Sequence, residues 1–292
     1  MYGPVVIEMI DPYLDRDAEK PIHLIGSGGF IGNAVQRRAG PVLLRCWSHT
    51  SNNQDKLFDL LDPNSWQSLL SSEPETVILL SWPGLPNYQQ SFHVSRNLPA
   101  TLQLVEKLIA VGLKRIVVAG TCYEYGLQNG ALQEHQATDP INFYAIAKDS
   151  LRRSVAIICE QHKVCWSWLR IFYPFGDGQN SSSLLPSLEQ AIQSRNTSFP
   201  MSSGRQLRDF IHVDNIADLL LLLAIHPLAK GIYNGGSGYA YSLREFVEFK
   251  IRALGADIKL ECGVYPDRHD EPLAFWADVS RLQSLQQTHF SS

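Results

Sequence analysis

The stretch that most constrains this chain is Pro21 to Gly32, which reads Pro-Ile-His-Leu-Ile-Gly-Ser-Gly-Gly-Phe-Ile-Gly. The apolar run Ile22 to Ile25, closed by glycine, predicts a short buried parallel strand. Glycines follow at Gly26, Gly29 and Gly32, and the spacing starts a helix at Phe30. A strand that enters a glycine turn and then a helix aims free backbone N–H groups and the positive helix end at an anion such as a pyrophosphate. The glycines serve a tight turn, close approach of backbone to phosphate, and close packing of helix on strand. Three glycines at this spacing arise by chance about 0.1 times in such a chain, so the rest of the sequence must carry the reading. The second turn glycine also falls one residue later than in the commoner GxGxxG.

The pattern beyond the loop alternates strands and helices. Phe30 to Arg38 is a helix ended by Gly40 and Pro41, and Val42 to Trp47 is a second strand. Leu57 to Leu60 is a third, and Asp62-Pro63 opens a helix through Leu70. Thr76 to Leu80 is a fourth strand, ending at Ser81-Trp82. Leu98, Leu102, Val105, Leu108 and Ile109 make Asn97 to Val111 an amphipathic helix. Arg115 to Ala119 is a fifth strand, ending at Gly120-Thr121, and Val164 to Phe172 a sixth. This order predicts an α/β protein with a doubly wound parallel sheet of Rossmann type. Ligands of such sheets lie at the carboxyl ends of the strands, where Gly26, Ser48, Ser81 and Thr121 all fall.

A composition shift near Pro174 divides the chain into an N-terminal arm (1–19) with a dinucleotide-binding domain up to 174, and a smaller substrate domain over 175–292. In the second part, Gln206 to Val213 is strand-like, Asp214 caps an apolar helix, and Ser242 with Glu245 reads as a capping box. The segment from about 208 to 236 is expected to pack back on the first domain.

The 292 residues are 45% hydrophobic and 18% charged, which suits a globular protein with a large core. A net charge of −4 implies no general attraction to nucleic acid or anionic membrane. The first residues carry acids rather than a basic segment and a long apolar core, and Leu219 to Ile225 is too short to span a bilayer. Five cysteines lack zinc-type spacing. Reduced thiols, no metal and a cytoplasmic location are the expectation.

Tyr144 and Lys148 are four apart on one predicted helix face. A phenol titrates near 10 and is a poor acid–base group at neutral pH. An ammonium on the same face, with the positive ring of an oxidised nicotinamide, would favour its phenolate. Thr121 offers a hydroxyl for a substrate oxygen. The second strand ends in Arg45-Cys46-Trp47-Ser48-His49-Thr50 without the acid that would bind a ribose 2′-OH. Ser48 and His49, with Arg37 or Arg38, can instead receive a 2′-phosphate, which favours NADP, with NAD as the alternative.

These pieces together resemble the extended short-chain dehydrogenase/reductases, the nucleotide-sugar epimerase/dehydratase group. The matching motifs are Gly26-x-x-Gly29-x-x-Gly32, Asp59-Leu60, Asn97, Thr121 with Tyr125-Gly126, Tyr144-x-x-x-Lys148, Arg208-Asp209-Phe210-Ile211-His212-Val213-Asp214 and Tyr233-Asn234-x-Gly236-x-Gly238. They recur in the family's order from about Pro21 to Asp278. The resemblance implies that Gly26, Gly29, Phe30, Ile31, Gly32, Ser48, His49, Ser81 and Lys148 hold the cofactor, with Asp59 and Leu60 at the adenine. It implies Tyr144 as the acid/base, Lys148 on the nicotinamide ribose, and Thr121 orienting the sugar oxygen. Arg208 and Arg268 would clamp a nucleotide diphosphate. Look-alikes pair as homodimers through the helices Asn97–Val111 and Tyr144–Gln161.

Departures narrow the expected activity. Dehydratases of the family carry Asp-Glu after the threonine, whereas here Cys122-Tyr123 follow and Glu124 comes one residue late. Trp82 stands where the family has small residues, and is expected to reshape the sugar pocket. The stretch from Gly120 to Gly126 looks most like 4-ketoreductases. The expected function is NADPH-dependent reduction of a nucleotide-linked 4-keto-6-deoxysugar. Two alternatives remain: an epimerase that retains NAD, and a non-catalytic dinucleotide-binding scaffold or redox sensor.

Overall fold

A computed structural model describes residues 20–49, 56–267 and 271–287. The N-terminal arm and Arg268 lie outside the described residues. The first strand, β1 (Ile22–Ile25), is buried along its length and leads through the glycine turn into α1 (Phe30–Arg38). Then come β2 (Leu44–Ser48), β3 (Lys56–Leu57), the short α2 (Gln67–Leu70) and β4 (Thr76–Leu79). A π-helical turn, His93–Asn97, runs into α3 (Leu98–Ala110), which precedes β5 (Arg115–Thr121). After β6 (Gly130–Leu132) come α4 (Phe143–Gln161), β7 (Cys165–Ile171) and β8 (Tyr173–Phe175). The third strand is shorter than expected because the chain leaves the sheet at Phe58, and Asp59 turns back to bond Leu61, Ser65 and Trp66.

The remainder comprises α5 (Leu184–Gln193), β9 (Ser198–Pro200), β10 (Leu207–Arg208), β11 (Phe210–His212), α6 (Val213–Ile225) and β12 (Gly231–Gly235). The last elements are β13 (Tyr241–Ser242), α7 (Leu243–Ala253), β14 (Lys259–Glu261), β15 (Phe275–Ala277) and α8 (Ser280–Gln287). The expected strand over Gln206–Val213 splits at Asp209. Its buried carboxylate accepts from the backbone N–H groups of Ser237, Gly238 and Ala277, tying three chain segments together. Helix α6 is capped not by Asp214 but by His212, whose Nδ1 accepts the Asp214 N–H at 3.2 Å. The Ser242–Glu245 capping box forms as expected.

Seven parallel strands form one sheet in the order β12-β7-β5-β4-β1-β2-β3. Strand order reverses between β1 and β4, which opens a crevice at their carboxyl ends. Alternate residues feed two cores. Leu24, Ile78, Val117 and Leu169 pack under α1 and α6, while Ile25, Leu79, Val118 and Trp168 pack under α3 and α4. Helix α6 is buried nearly all round, and its Asp218 takes a bidentate bond from Arg38 of α1 at 2.7 and 2.8 Å. A third cluster, with Phe210 and Phe246 stacked at 3.8 Å, is the core of the C-terminal part.

Candidate active site

The glycine turn sits at the crevice. Gly26 has φ +96°, and a Cβ there would stand 2.7 Å from the Ser81 backbone nitrogen. A Cβ on Gly32 would stand 2.2 Å from the Gly26 carbonyl oxygen, so helix and turn touch through bare backbone. Gly29 differs: a Cβ there would meet only one atom, the Gly26 oxygen at 3.4 Å. Gly29 caps α1 without a side-chain bond, and the first turn holds no acid. The backbone donors at Phe30 and Ile31 thus head a helix that no side chain of its own caps. This cradle fits a dinucleotide pyrophosphate.

The predicted adenosine-side residues come together beside it. Ser48 ends β2 and is buried, and its carbonyl accepts the Phe58 N–H at 2.8 Å. His49 is exposed, with Nε2 3.7 Å from Asp59 Oδ2, and Leu60 is buried. The cations expected at a 2′-phosphate are placed otherwise. Arg38 is locked on Asp218, and Arg37 donates to Asp214 at 3.0 Å. The geometry therefore favours neither NADP nor NAD through these arginines.

Thr121, Tyr144 and Lys148 meet at the end of β5. Asn142 caps α4 by accepting the Ala145 N–H at 2.8 Å, which starts the helix just before Tyr144. The Thr121 side chain lies close enough to the Tyr144 phenol to favour its phenolate. Lys148 Nζ donates to the Ala119 carbonyl at 3.0 Å. All three residues are buried. Burial pushes the Tyr144 phenol well up from its ordinary range, against the lowering by Thr121. Burial also lowers the Lys148 ammonium to about 7, opposed by the Glu124 carboxylate. In the protein alone, burial outweighs the phenolate stabilisation expected from the sequence.

Glu124 points into the interior. Its carboxylate accepts the Thr121 N–H at 3.0 Å, Trp168 Nε1 at 2.9 Å and Arg170 Nε at 2.8 Å. Trp168 reaches it only because residue 120 is glycine: a Cβ there would stand 2.0 Å from the indole nitrogen. Glu124 therefore shapes the site without facing it.

Trp82 is beside the pair, with its ring edge-on to Tyr144 at 6.2 Å and under the Lys148 ammonium at 4.0 Å. Next to it a cavity of about 250 Å³ is lined by Tyr88, Tyr123, Asn142 and Glu271 among others. Tyr88 connects the cavity with Tyr144, since its ring is 5.3 Å from Tyr123 and 5.5 Å from Tyr144. Sequence reasoning assigned no role to Tyr88, His93 or Glu271. They come from loops and a π-helical turn that carry no periodic signal; only Tyr123, two residues after Thr121, was placed to be noticed.

Arg208 is not presented to this cavity as a diphosphate clamp. Its guanidinium is buried and donates to the Tyr173 hydroxyl at 3.0 Å, Glu271 at 2.9 Å and the Leu207 and Leu273 carbonyls. As placed, it braces the wall of the cavity. Among the described residues no cluster of metal ligands occurs, and no helix is long and apolar enough to cross a membrane.

A glycine-turn crevice joined to a Thr–Tyr–Lys set defines a dinucleotide-dependent enzyme of the short-chain dehydrogenase/reductase class. The chain belongs to the NAD dependent epimerase/dehydratase family, which it matches over residues 22–236, and it is an NAD(P)-dependent enzyme. It is 30% identical over 210 residues to the dTDP-6-deoxy-L-talose 4-dehydrogenase (NAD(+)) of Aggregatibacter actinomycetemcomitans, covering 71% of this chain and 76% of that one. It is 26% identical to UDP-arabinose 4-epimerase 1 of Arabidopsis thaliana, covering 63% of this chain and about half (49%) of that one. Its fold resembles that of RMD from Pseudomonas aeruginosa, solved with NADPH, at a TM-score of 0.79 and 21% identity, covering 92% of each chain.

Proposed function

We propose that this enzyme reduces a nucleotide-linked 4-keto-6-deoxysugar with a reduced nicotinamide dinucleotide. The observation that carries the reading is the buried grouping of Thr121 and Tyr144, with Lys148 one turn along the same helix and a cavity alongside. A relative at 30% identity is by name a 4-dehydrogenase of a dTDP-linked 6-deoxysugar, the reverse of this reduction. A bound nicotinamide supplies or accepts hydride at the sugar carbon. Tyr144 gives its phenolic proton to the oxygen that forms, Thr121 orients that oxygen, and Lys148 holds positive charge beside the phenol. The Tyr88 and Tyr123 rings line one side of the cavity beside Tyr144.

The same residues serve an epimerase that oxidises and re-reduces one carbon. The match to a UDP-arabinose 4-epimerase and the family itself support that second reading. The exposed Phe143, Ile146 and Ile157 of α4 support pairing of two copies through α3 and α4, which the mass in solution tests.

The test is turnover with each of dTDP-, GDP- and UDP-linked 4-keto-6-deoxysugars and NADPH or NADH, followed by loss of reduced-nicotinamide absorbance and NMR of the product. One cofactor consumed per sugar reduced supports the reductase. A 4-epimer formed from an ordinary nucleotide sugar with no net cofactor consumed supports the epimerase.

A further inference from the structure

Lys148 is a buried amine with two neighbours that favour its charged form. Its Nζ donates to the Ala119 carbonyl at 3.0 Å, and the ammonium sits 4.0 Å from the centre of the Trp82 ring. Lys148 is 3% exposed and Trp82 9%. A cation over an indole face at that distance, out of water, is held by the ring quadrupole.

The indole is itself fixed. Trp82 Nε1–H donates to His93 Nδ1 at 3.0 Å, and the two rings stack with an interplanar angle of 14°. Asn97 Nδ2 approaches the same His93 nitrogen at 3.4 Å and donates to the Pro83 carbonyl at 2.8 Å. An indole N–H only donates, so His93 Nδ1 must be the bare, accepting nitrogen. The imidazole proton is then on Nε2, which lies 3.1 Å from the Asn87 carbonyl and donates to it. His93 is thereby the neutral Nε2–H tautomer, and burial holds it so by lowering its pKa. A protonated His93 would turn a second N–H against the indole and add a cation near Lys148.

We propose that Trp82 is a positioning residue that keeps Lys148 protonated and aimed beside Tyr144, with neutral His93 fixing the indole. This rests on the reading that Tyr144 and Lys148 form the acid/base pair. The titratable and charged groups packed around them are Tyr88 and His93 from the segment ahead of α3, Cys122 and Glu124 from the turn after β5, and, behind Glu124, Arg170 of β7 and Arg152 of α4. Among these, Glu124 and Trp82 favour the lysine cation, while burial opposes it.

The test is NMR of the full chain labelled with 13C-lysine, with the Lys148 signal identified by its loss in Lys148→Met. In the unaltered protein the Lys148 ε-protons are expected upfield of the other lysines, from the indole ring current. Trp82→Leu is expected to lower the Lys148 titration midpoint by about one pH unit, a tenfold change in its protonation equilibrium. Trp82→Phe, which keeps an aromatic face but loses the bond to His93, is expected to lower it by about half as much. Unshifted ε-protons, or an unchanged midpoint in the folded variants, overturns the proposal. If Trp82→Leu does not fold, the ring-current shift and the Trp82→Phe midpoint decide. None of these readouts needs turnover, so failure of the acid/base reading shows separately, as full activity in Tyr144→Phe.

Discussion

Glu124 accepts the Arg170 Nε at 2.8 Å with both side chains sealed from solvent. The same carboxylate takes the Thr121 N–H, so a buried ion pair fixes the end of the strand that carries Thr121. Removing Glu124 leaves Arg170 as a buried charge without its carboxylate, and removing Arg170 leaves Glu124 only the longer contact with Arg152 at 3.5 Å. Glu124→Gln and Arg170→Met are each expected to lower stability by about 3–5 kcal/mol. The double variant should recover part of that loss. Urea denaturation of the three variants checks the pattern; losses that simply add would argue against a coupled pair.

Tyr144→Phe keeps the ring but removes the proton. Turnover is expected to fall by about 10²–10⁴-fold. Cofactor affinity, measured by calorimetry, should stay within about twofold if the phenol acts, as proposed, in proton transfer rather than in holding the dinucleotide.

Two glycines of the turn separate folding from binding. Gly32→Ala drives a Cβ to 2.2 Å from the Gly26 oxygen and should lower the melting temperature clearly. Gly29→Ala meets nothing closer than 3.4 Å and should leave melting of the free protein almost unchanged. Gly29 stands at the N-terminus of α1, where the pyrophosphate cradle is proposed, so thermal stabilisation by NADH or NADPH should shrink. Equal behaviour of the two variants would sink this division.

Stability should fall as pH drops from about 6.5 towards 4. His23 is buried on β1, and its Nδ1 accepts the Trp47 indole N–H at 3.1 Å. Burial first, then Arg45 and Lys56, pushes its pKa down to about 4. The folded state thus keeps His23 neutral through a range where the unfolded chain binds a proton, and protonation draws the equilibrium towards unfolding. The full effect approaches about 3 kcal/mol below pH 4 and vanishes above pH 6.5. His93, lowered in the same direction, adds to it. Urea midpoints from pH 7.5 to 4.5 measure the slope, and His23→Gln should flatten it. A slope unchanged in that variant would assign the acid sensitivity elsewhere.

Features repeated along the chain were legible in the sequence. The apolar run Ile22–Ile25, the turn glycines, the period of Asn97–Val111 and the four-residue spacing of Tyr144 and Lys148 each depend on local backbone geometry. All of them appear in the structure within a residue or two. The shortened third strand and the His212 cap were missed for a common reason. In each, a polar side chain or loop found a partner that periodicity does not encode.

The parts of the site contributed by side-chain pairing needed the fold. Arg208, Arg37 and Arg38 all look available as anion clamps in a sequence, because a guanidinium shows only its charge there. Tertiary structure brings Glu271, Asp214 and Asp218 against them from distant segments and takes up their donors. Tyr88 and His93 came to Tyr144 in the same way, from a loop and a π-helical turn that carry no pattern. The sequence by itself determined the doubly wound sheet, the glycine crevice and the Thr–Tyr–Lys set, since each follows from local propensity and short spacing. Only the tertiary structure decided which charges face the ligand and which are spent inside. Charge pairing and burial depend on neighbours that may be a hundred or more residues away in the chain, as Arg38 and Asp218 are.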